Sequence, residues 1–186
     1  MKLFKPVLKS WIPLAALVTL LCGVMYTLVQ QTYRSNANDP QIQMAEDAAF
    51  DLNRGADPKT LVSNFPVEIS RSLKPFTIIY DDRGNGVAAD GLLDQKIPIL
   101  PKGVLEYTRD NMQNTITWQP RSGVRSALVI NYVSKGPFQG FVVAGRSLRA
   151  VEERESMLVK QIAFGWIVSL GLLLIVVILA EAILKT

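Results

Sequence analysis

Two stretches of the chain, residues 11–30 and 161–180, contain no Asp, Glu, Lys or Arg. Each is as long as the roughly 20 residues that cross a bilayer core. The segment between them alternates in a different way. A polar break at 36–39 ends in Asp39-Pro40, an N-cap followed by proline at the first helical position. Ile42, Ala45, Ala48, Ala49 and Leu52 then recur at three- and four-residue steps, which predicts a helix closed by Gly55. Asp57-Pro58 repeats the start signal for a short helix through Leu61 and Val62. Residues 76–80 are β-branched and aromatic, a strand, and the polar, glycine-rich run 81–86 is a turn before a second short strand near Val87. Pro98, Pro101 and Gly103 mark a loop, and 104–111 reads as helical turns. Three strands follow, at 115–119, 124–133 and 138–146, with turns at 120–123 and 134–137 too short for anything but antiparallel neighbours. After Ser147, a helix N-cap, nothing breaks a helix. Leu148, Val151, Glu155, Leu158 and Ile162 form a heptad-like stripe that runs into the second apolar stretch.

This pattern divides the chain into a cytoplasmic N-terminus (1–10), a transmembrane helix (11–30), an outer domain (31–146), a juxtamembrane helical rod (147–161), a second transmembrane helix (162–182) and a tail (183–186). Composition agrees: 49% of the 186 residues are apolar and mean hydropathy is +0.22 although 19% are charged, so the apolar residues are concentrated. Lys2, Lys5 and Lys9 precede the first span without an acidic neighbour, whereas 31–160 holds 16 basic and 15 acidic residues. The net charge of +4 is therefore an orientation signal, with both termini cytoplasmic and the middle outside at the plasma membrane. It is not a nucleic-acid surface. The first apolar run is longer than a signal-peptide core and lacks a small-residue cleavage site, which favours an uncleaved anchor. Pro13 falls in the first turn of that span.

The absent residues restrict the chemistry. The chain has no histidine, and its single cysteine, Cys22, lies inside the first apolar run. Catalysis by Ser-His-Asp or Cys-His groups, histidine-ligated metals, thiolate metal sites and intrachain disulfides are excluded. No cofactor or metal is implied and no enzyme activity is expected. Adjacent Asp81 and Asp82 point to opposite faces of a strand and lack the spacing of a calcium loop, so turn chemistry accounts for them.

The order of elements resembles the extracytoplasmic PAS-like (single Cache) sensor region of two-span bacterial sensor kinases and chemoreceptors. The stretch 140–154, Gly-Phe-Val-Val-Ala-Gly-Arg-Ser-Leu-Arg-Ala-Val-Glu-Glu-Arg, is similar to the strand-to-helix exit into the second span of such kinases. Thr117-Trp118-Gln119-Pro120 with Gly123-Val124-Arg125 resembles segments from the same setting. The resemblance implies an α+β fold, a PAS-like antiparallel sheet domain flanked by two transmembrane helices. It also implies a pocket between the sheet and the short helix at 104–111, with Tyr80, Tyr107, Trp118, Arg125, Tyr132 and Arg146 as candidate liners for a small-molecule ligand. Arg125 could clamp a carboxylate; it could equally face water or pair with an acidic neighbour, and Trp118 could equally be a core or rim aromatic. Sensor kinases continue past the second span with a phosphoacceptor histidine and an ATPase domain. This chain stops, so output is expected from a partner, either a second copy in a homodimer or a separate membrane protein, or is absent as in a degenerate kinase remnant. Small residues Gly165 and Ser169 allow close helix approach, and Glu181 either reaches the interface or contacts a partner helix. The expected function is a membrane-anchored sensory or regulatory module without its own output domain. The alternative is a structural or accessory subunit whose outer domain docks a partner protein.

Overall fold

The structure, a computed structural model, describes residues 4–36 and 39–183. Lys2, residues 37–38 of the polar break, residues 184–186 of the tail and the side chain of Asp39 lie outside what it describes. The chain forms two compact units, Met1–Arg34 with Glu153–Thr186, and Ser35–Glu152.

The first unit contains two helices long and apolar enough to cross a membrane, α1 (Phe4–Asn36) and the larger part of α4 (Arg149–Ile183). Helix α1 begins seven residues before the uncharged run, so Pro13 lies in the helix interior and not in a first turn. It removes the N–H that would bond the carbonyl of Lys9. The helices face each other along a seam in which Val7, Ala15 and Val177 are buried. Polar groups bridge the seam. Trp11 Nε1 donates to Leu170 O (3.3 Å), Trp166 Nε1 to Thr19 Oγ1 (3.0 Å) and Gln30 Nε2 to Glu155 Oε1 (2.8 Å).

The second unit is α+β, with a five-stranded antiparallel sheet. Helix α2 (Asp39–Asn53) comes first and ends where Gly55 takes a positive φ of 94°. A 3-10 turn, Pro58–Thr60, follows, with the Asp57 carboxylate accepting the Lys59 amide. Then come β1 (Val67–Glu68), β2 (Phe76–Asp81), β3 (Gly86–Ala89), β4 (Gly91–Leu92), α3 (Lys102–Asn111), β5 (Gln113–Arg121), β6 (Val124–Val133) and β7 (Gly140–Ser147). The sheet order is β3-β2-β7-β6-β5, and β1 and β4 make a separate parallel pair. Two-residue strands carry no periodicity, which is why this pair is invisible in the sequence.

Strand β5 is longer than the 115–119 read from the pattern, because α3 turns directly into it at Met112 and because Pro120 does not end it. The pairing slips between Trp118 and Arg121, and the turn shrinks to Ser122-Gly123. Pro120 is tolerated there because β5 is an edge strand with an irregular pairing.

Both faces of the sheet are covered. Helix α2 packs on one, where Ala45 and Leu52 meet Ile79, Val129, Val142 and Ala144. Helix α3 and the segment leading to it cover the other, where Leu100 and Leu105 meet Tyr80, Leu128, Phe141 and Val143. This explains why β2, β6 and β7 read as continuous apolar runs rather than as alternating ones.

Phe76, at the start of β2, is seated on two glycines: a Cβ added at Gly91 or Gly145 would collide with its ring. At Gly145 the same Cβ would also meet Leu128. Gly145→Ala is therefore an overpacking change, expected to cost about 1–3 kcal/mol. Thermal melting of the full chain should show a midpoint lower by several degrees, and an unchanged midpoint would mean that the Phe76 ring has room to move.

Candidate functional site

The sheet separates the six candidate ligand-binding residues. Tyr80, Trp118 and Tyr132 lie on the α3 face, whereas Arg125 shares its face with Ala127 and Val129, and Arg146 with Val142 and Ala144, on the α2 side. Alternation along a strand makes this unavoidable, since odd and even positions of β6 and β7 cannot reach the same cavity. Tyr107, on α3, is exposed.

Tyr80 and Trp118 are part of the packed core. The Tyr80 hydroxyl donates to Pro98 O at 2.7 Å, and burial pushes its phenol pKa up. Arg125 forms an ion pair with Glu152, the acidic residue in the first turn of α4. Leu148 N donates to Arg125 O at 2.9 Å, so one residue holds both the last strand and the start of the helix. Arg146 is half-buried beside Ala127.

Tyr132 belongs to a cluster at the opposite end of the sheet. Its hydroxyl donates to Asp82 Oδ1 (3.0 Å), and its ring lies 5.1 Å from that of Phe141. The Arg109 guanidinium sits 5.6 Å over the Tyr132 ring and donates to Asp82 O (2.6 Å) and Oδ1 (3.0 Å). Arg109 is a group that the pattern of residues does not single out. It reaches Asp82 only because α3 packs back over the sheet, and no spacing between positions 82 and 109 signals the contact. Asp81 next to it does what turn chemistry demands: its Oδ1 accepts the amides of Arg83 (2.9 Å) and Asn85 (2.7 Å), and its Oδ2 the Asn85 amide group (2.8 Å).

A polar cleft of about 470 Å³ opens between Glu68, Ser70, Arg71, Asp94, Gln95 and Arg121. Asp94 and Gln95 both adopt left-handed backbone, at φ 52° and 62°. Their consecutive amides thereby point at the Glu68 carboxylate, at 3.2 and 3.4 Å, and Ser70 Oγ donates to it at 2.9 Å. Desolvation pushes the Glu68 pKa up, but these donors outweigh it and hold the carboxyl below its usual range. Arg121 Nη1 pairs with both oxygens of Asp94, at 3.1 and 2.9 Å. The two carboxylates are thus spent on partners within the protein. Among the described residues no three His, Cys, Asp or Glu side chains gather closely enough to hold a metal ion.

Of the transmembrane candidates, Glu181 accepts from Ser10 Oγ at 3.3 Å, a contact within the chain. Gly165 and Ser169 lie off the α1–α4 seam: Ser169 is exposed, and a Cβ at Gly165 would meet nothing within 4 Å.

A scan against models of known protein families finds no match, and no curated protein matches the chain.

Two predictions follow from these contacts. The Asp81 pKa is lowered chiefly by the side-chain hydrogen bond from Asn85. Its contribution to stability is present above the ordinary Asp pKa of about 3.9 and is lost as pH falls through the lower folded value. Asn85→Ala should return the carboxyl toward its ordinary value, and titration followed by carboxyl NMR should show that upward move. In the membrane pair, Trp166→Phe removes the bond to Thr19, expected to cost about 0.6 and at most about 1.7 kcal/mol. Unfolding in mixed micelles should register the loss, and Phe164→Ala, exposed on the same helix, should leave the midpoint unchanged.

Proposed function

We propose that this protein is a membrane-anchored sensory or regulatory module: a PAS-like domain of the single Cache type, held outside the plasma membrane between two spans whose termini are cytoplasmic. Binding of a small molecule or a partner is passed through α4 to another protein. The order of elements supports the PAS-like reading, and Lys2, Lys5 and Lys9 support the orientation.

The observation that carries the functional reading is the exit from the sheet. Strand β7 is hydrogen-bonded to β2 on one side and β6 on the other, and one residue, Leu148, separates it from α4. Three contacts pin that junction: Leu148 N to Arg125 O, Arg125 to Glu152, and Arg149 Nη2 to Arg71 O at 2.8 Å. Ser147 Oγ accepts the Arg149 amide at 3.3 Å, which starts the helix. A ligand that moves the sheet cannot leave the first turn of α4 where it was. The reading is non-catalytic, in keeping with a chain that has no histidine and one cysteine in an apolar run.

The second reading, an accessory subunit whose outer domain docks a partner, is favoured by one observation. Phe65 and Ile99 are 84% and 85% exposed on the outer domain, apolar side chains left to solvent.

The test uses the full chain in nanodiscs, with Cys22→Ser and a spin label at Met157→Cys on α4. Melting is recorded against amino acids, organic acids, amines and metal ions. A compound at a hundred times its dissociation constant adds about 2.7 kcal/mol, a shift of several degrees. The sensory reading expects such a compound also to change the spectrum at position 157, and expects an alanine inserted after Leu148 to abolish the spectral change while the melting shift survives. A midpoint that no compound moves, with a membrane protein co-purifying stoichiometrically, establishes the docking subunit instead.

A further inference from the structure

The end of the sheet from which α4 departs carries cations that the protein does not pair. Across residues 35–152 the charges balance, 13 basic against 13 acidic. Six of the cations collect at this end. Arg146 stands opposite Ala127, and Phe76 opposite Gly145, so the preceding Arg71 and Lys74 share that end. Arg121 and Arg125 flank the β5–β6 turn, and Arg149 opens α4. Four carboxylates accompany them, and all four are engaged. Asp94 takes Arg121 and Glu152 takes Arg125. Asp90 takes the amides of Ser63 and Thr77, and Glu68 those of Asp94 and Gln95.

Among the described residues no carboxylate lies within 4 Å of the charged groups of Arg71, Lys74, Arg146 or Arg149. Arg149 spends one donor on the carbonyl of Arg71. Between Arg71 and Lys74 is Leu73, an aliphatic side chain left 42% exposed. The loop that presents it is fixed: Ser72 N donates to Glu68 O at 2.8 Å and Lys74 N to Ser72 Oγ at 3.0 Å. An exposed leucine flanked by unpaired cations, on an ordered loop, has the chemistry of a membrane-interface anchor.

We propose that this end of the outer domain docks on anionic phospholipid headgroups, with Arg71, Lys74, Arg146 and Arg149 on the phosphates and Leu73 at the edge of the acyl region. The inference rests on α1 and α4 being membrane spans. The tether is short enough. Arg149 precedes the uncharged run by twelve residues of one helix, at most about 18 Å. The headgroup layer takes up about 5–7 Å of that distance, and the reach of a long arginine side chain brings the remaining roughly 11–13 Å within the Debye length of about 8 Å at physiological salt. Docking of this kind opposes displacement of the β7–α4 junction, so lipid charge sets how readily the junction moves.

The full chain is reconstituted, with Cys22→Ser, into vesicles of phosphatidylcholine alone or with one third phosphatidylglycerol, and a fluorophore is placed at Leu73→Cys. A second preparation carries it at Arg83→Cys, in the turn at the other end of β2. Lipids bearing a nitroxide at the headgroup report contact. The expected result is quenching at position 73 that is several-fold stronger with phosphatidylglycerol. That excess should be lost in 1 M salt, where the Debye length is about 3 Å, and in the triple variant Arg71→Gln/Lys74→Gln/Arg146→Gln, while position 83 is quenched in neither lipid. Equal quenching at 73 in the two lipids, or equal quenching at 73 and 83, overturns the proposal. Free glycerol phosphate should not relieve the quenching at millimolar concentration, and if it does, the cations bind soluble phosphate and the membrane proposal falls. Flotation after alkaline extraction separates the two layers of inference: a chain stripped from vesicles sinks the two-span reading and the docking with it, whereas an embedded chain without the quenching sinks the docking alone.

Discussion

Everything in the sheet unit depends on β7 being held on all sides. The last strand of the sheet is inserted between the first, β2, and its own predecessor, β6, so that it has hydrogen-bonded neighbours along both edges. Phe141, Val142, Val143 and Ala144 are fully buried, alternately toward α3 and toward α2. Such a strand has all its hydrogen-bonded partners only when β2 and β6 are both in place. It is also the element that leads, through Leu148, into α4, a helix long and apolar enough to cross a membrane. Stability and the departure of α4 therefore fall on the same eight residues.

That placement accounts for the glycines at the two ends of the strand. Phe76 needs Gly145 beneath its ring, and a Cβ at Gly140 would meet the carbonyl of Tyr80. Close approach at both ends lets β2 lie along the full length of β7, from Phe76 opposite Gly145 to Asp81 opposite Gly140. The cost is a strand with small residues at both termini. The apolar middle compensates, packed against a helix on each face.

Polar groups in this protein are mostly spent on holding turns and ends. Asp57, Asp81 and Asp90 accept backbone amides, and Glu68 is enclosed by donors from a strained left-handed pair. Arg109 and Arg125 tie, respectively, α3 and α4 to neighbouring segments. Among the described residues, four cations without an ion pair and the exposed Leu73 gather at the junction end, and Phe65 and Ile99 are the most exposed apolar side chains of this unit.

The sequence by itself determined the two uncharged runs, the caps at Asp57 and Gly55, the turn at Asp81 and the extent of β6, because each depends on residues within a few positions of one another. It also determined which chemistry is unavailable, since a chain without histidine cannot acquire one by folding. Only the tertiary structure decided which face of the sheet each candidate occupies. Tyr132 and Arg125, seven positions apart on one strand, fall on opposite sides because seven is odd, and which side faces α3 depends on where the helices pack. The parallel pair β1–β4, the bonds from Arg109 to Asp82 and from Arg149 to Arg71, and the Phe76 ring seated on Gly91 and Gly145 join residues 15 to 78 positions apart. Contacts at such separations leave no local pattern, and they exist only once the core has brought distant segments together.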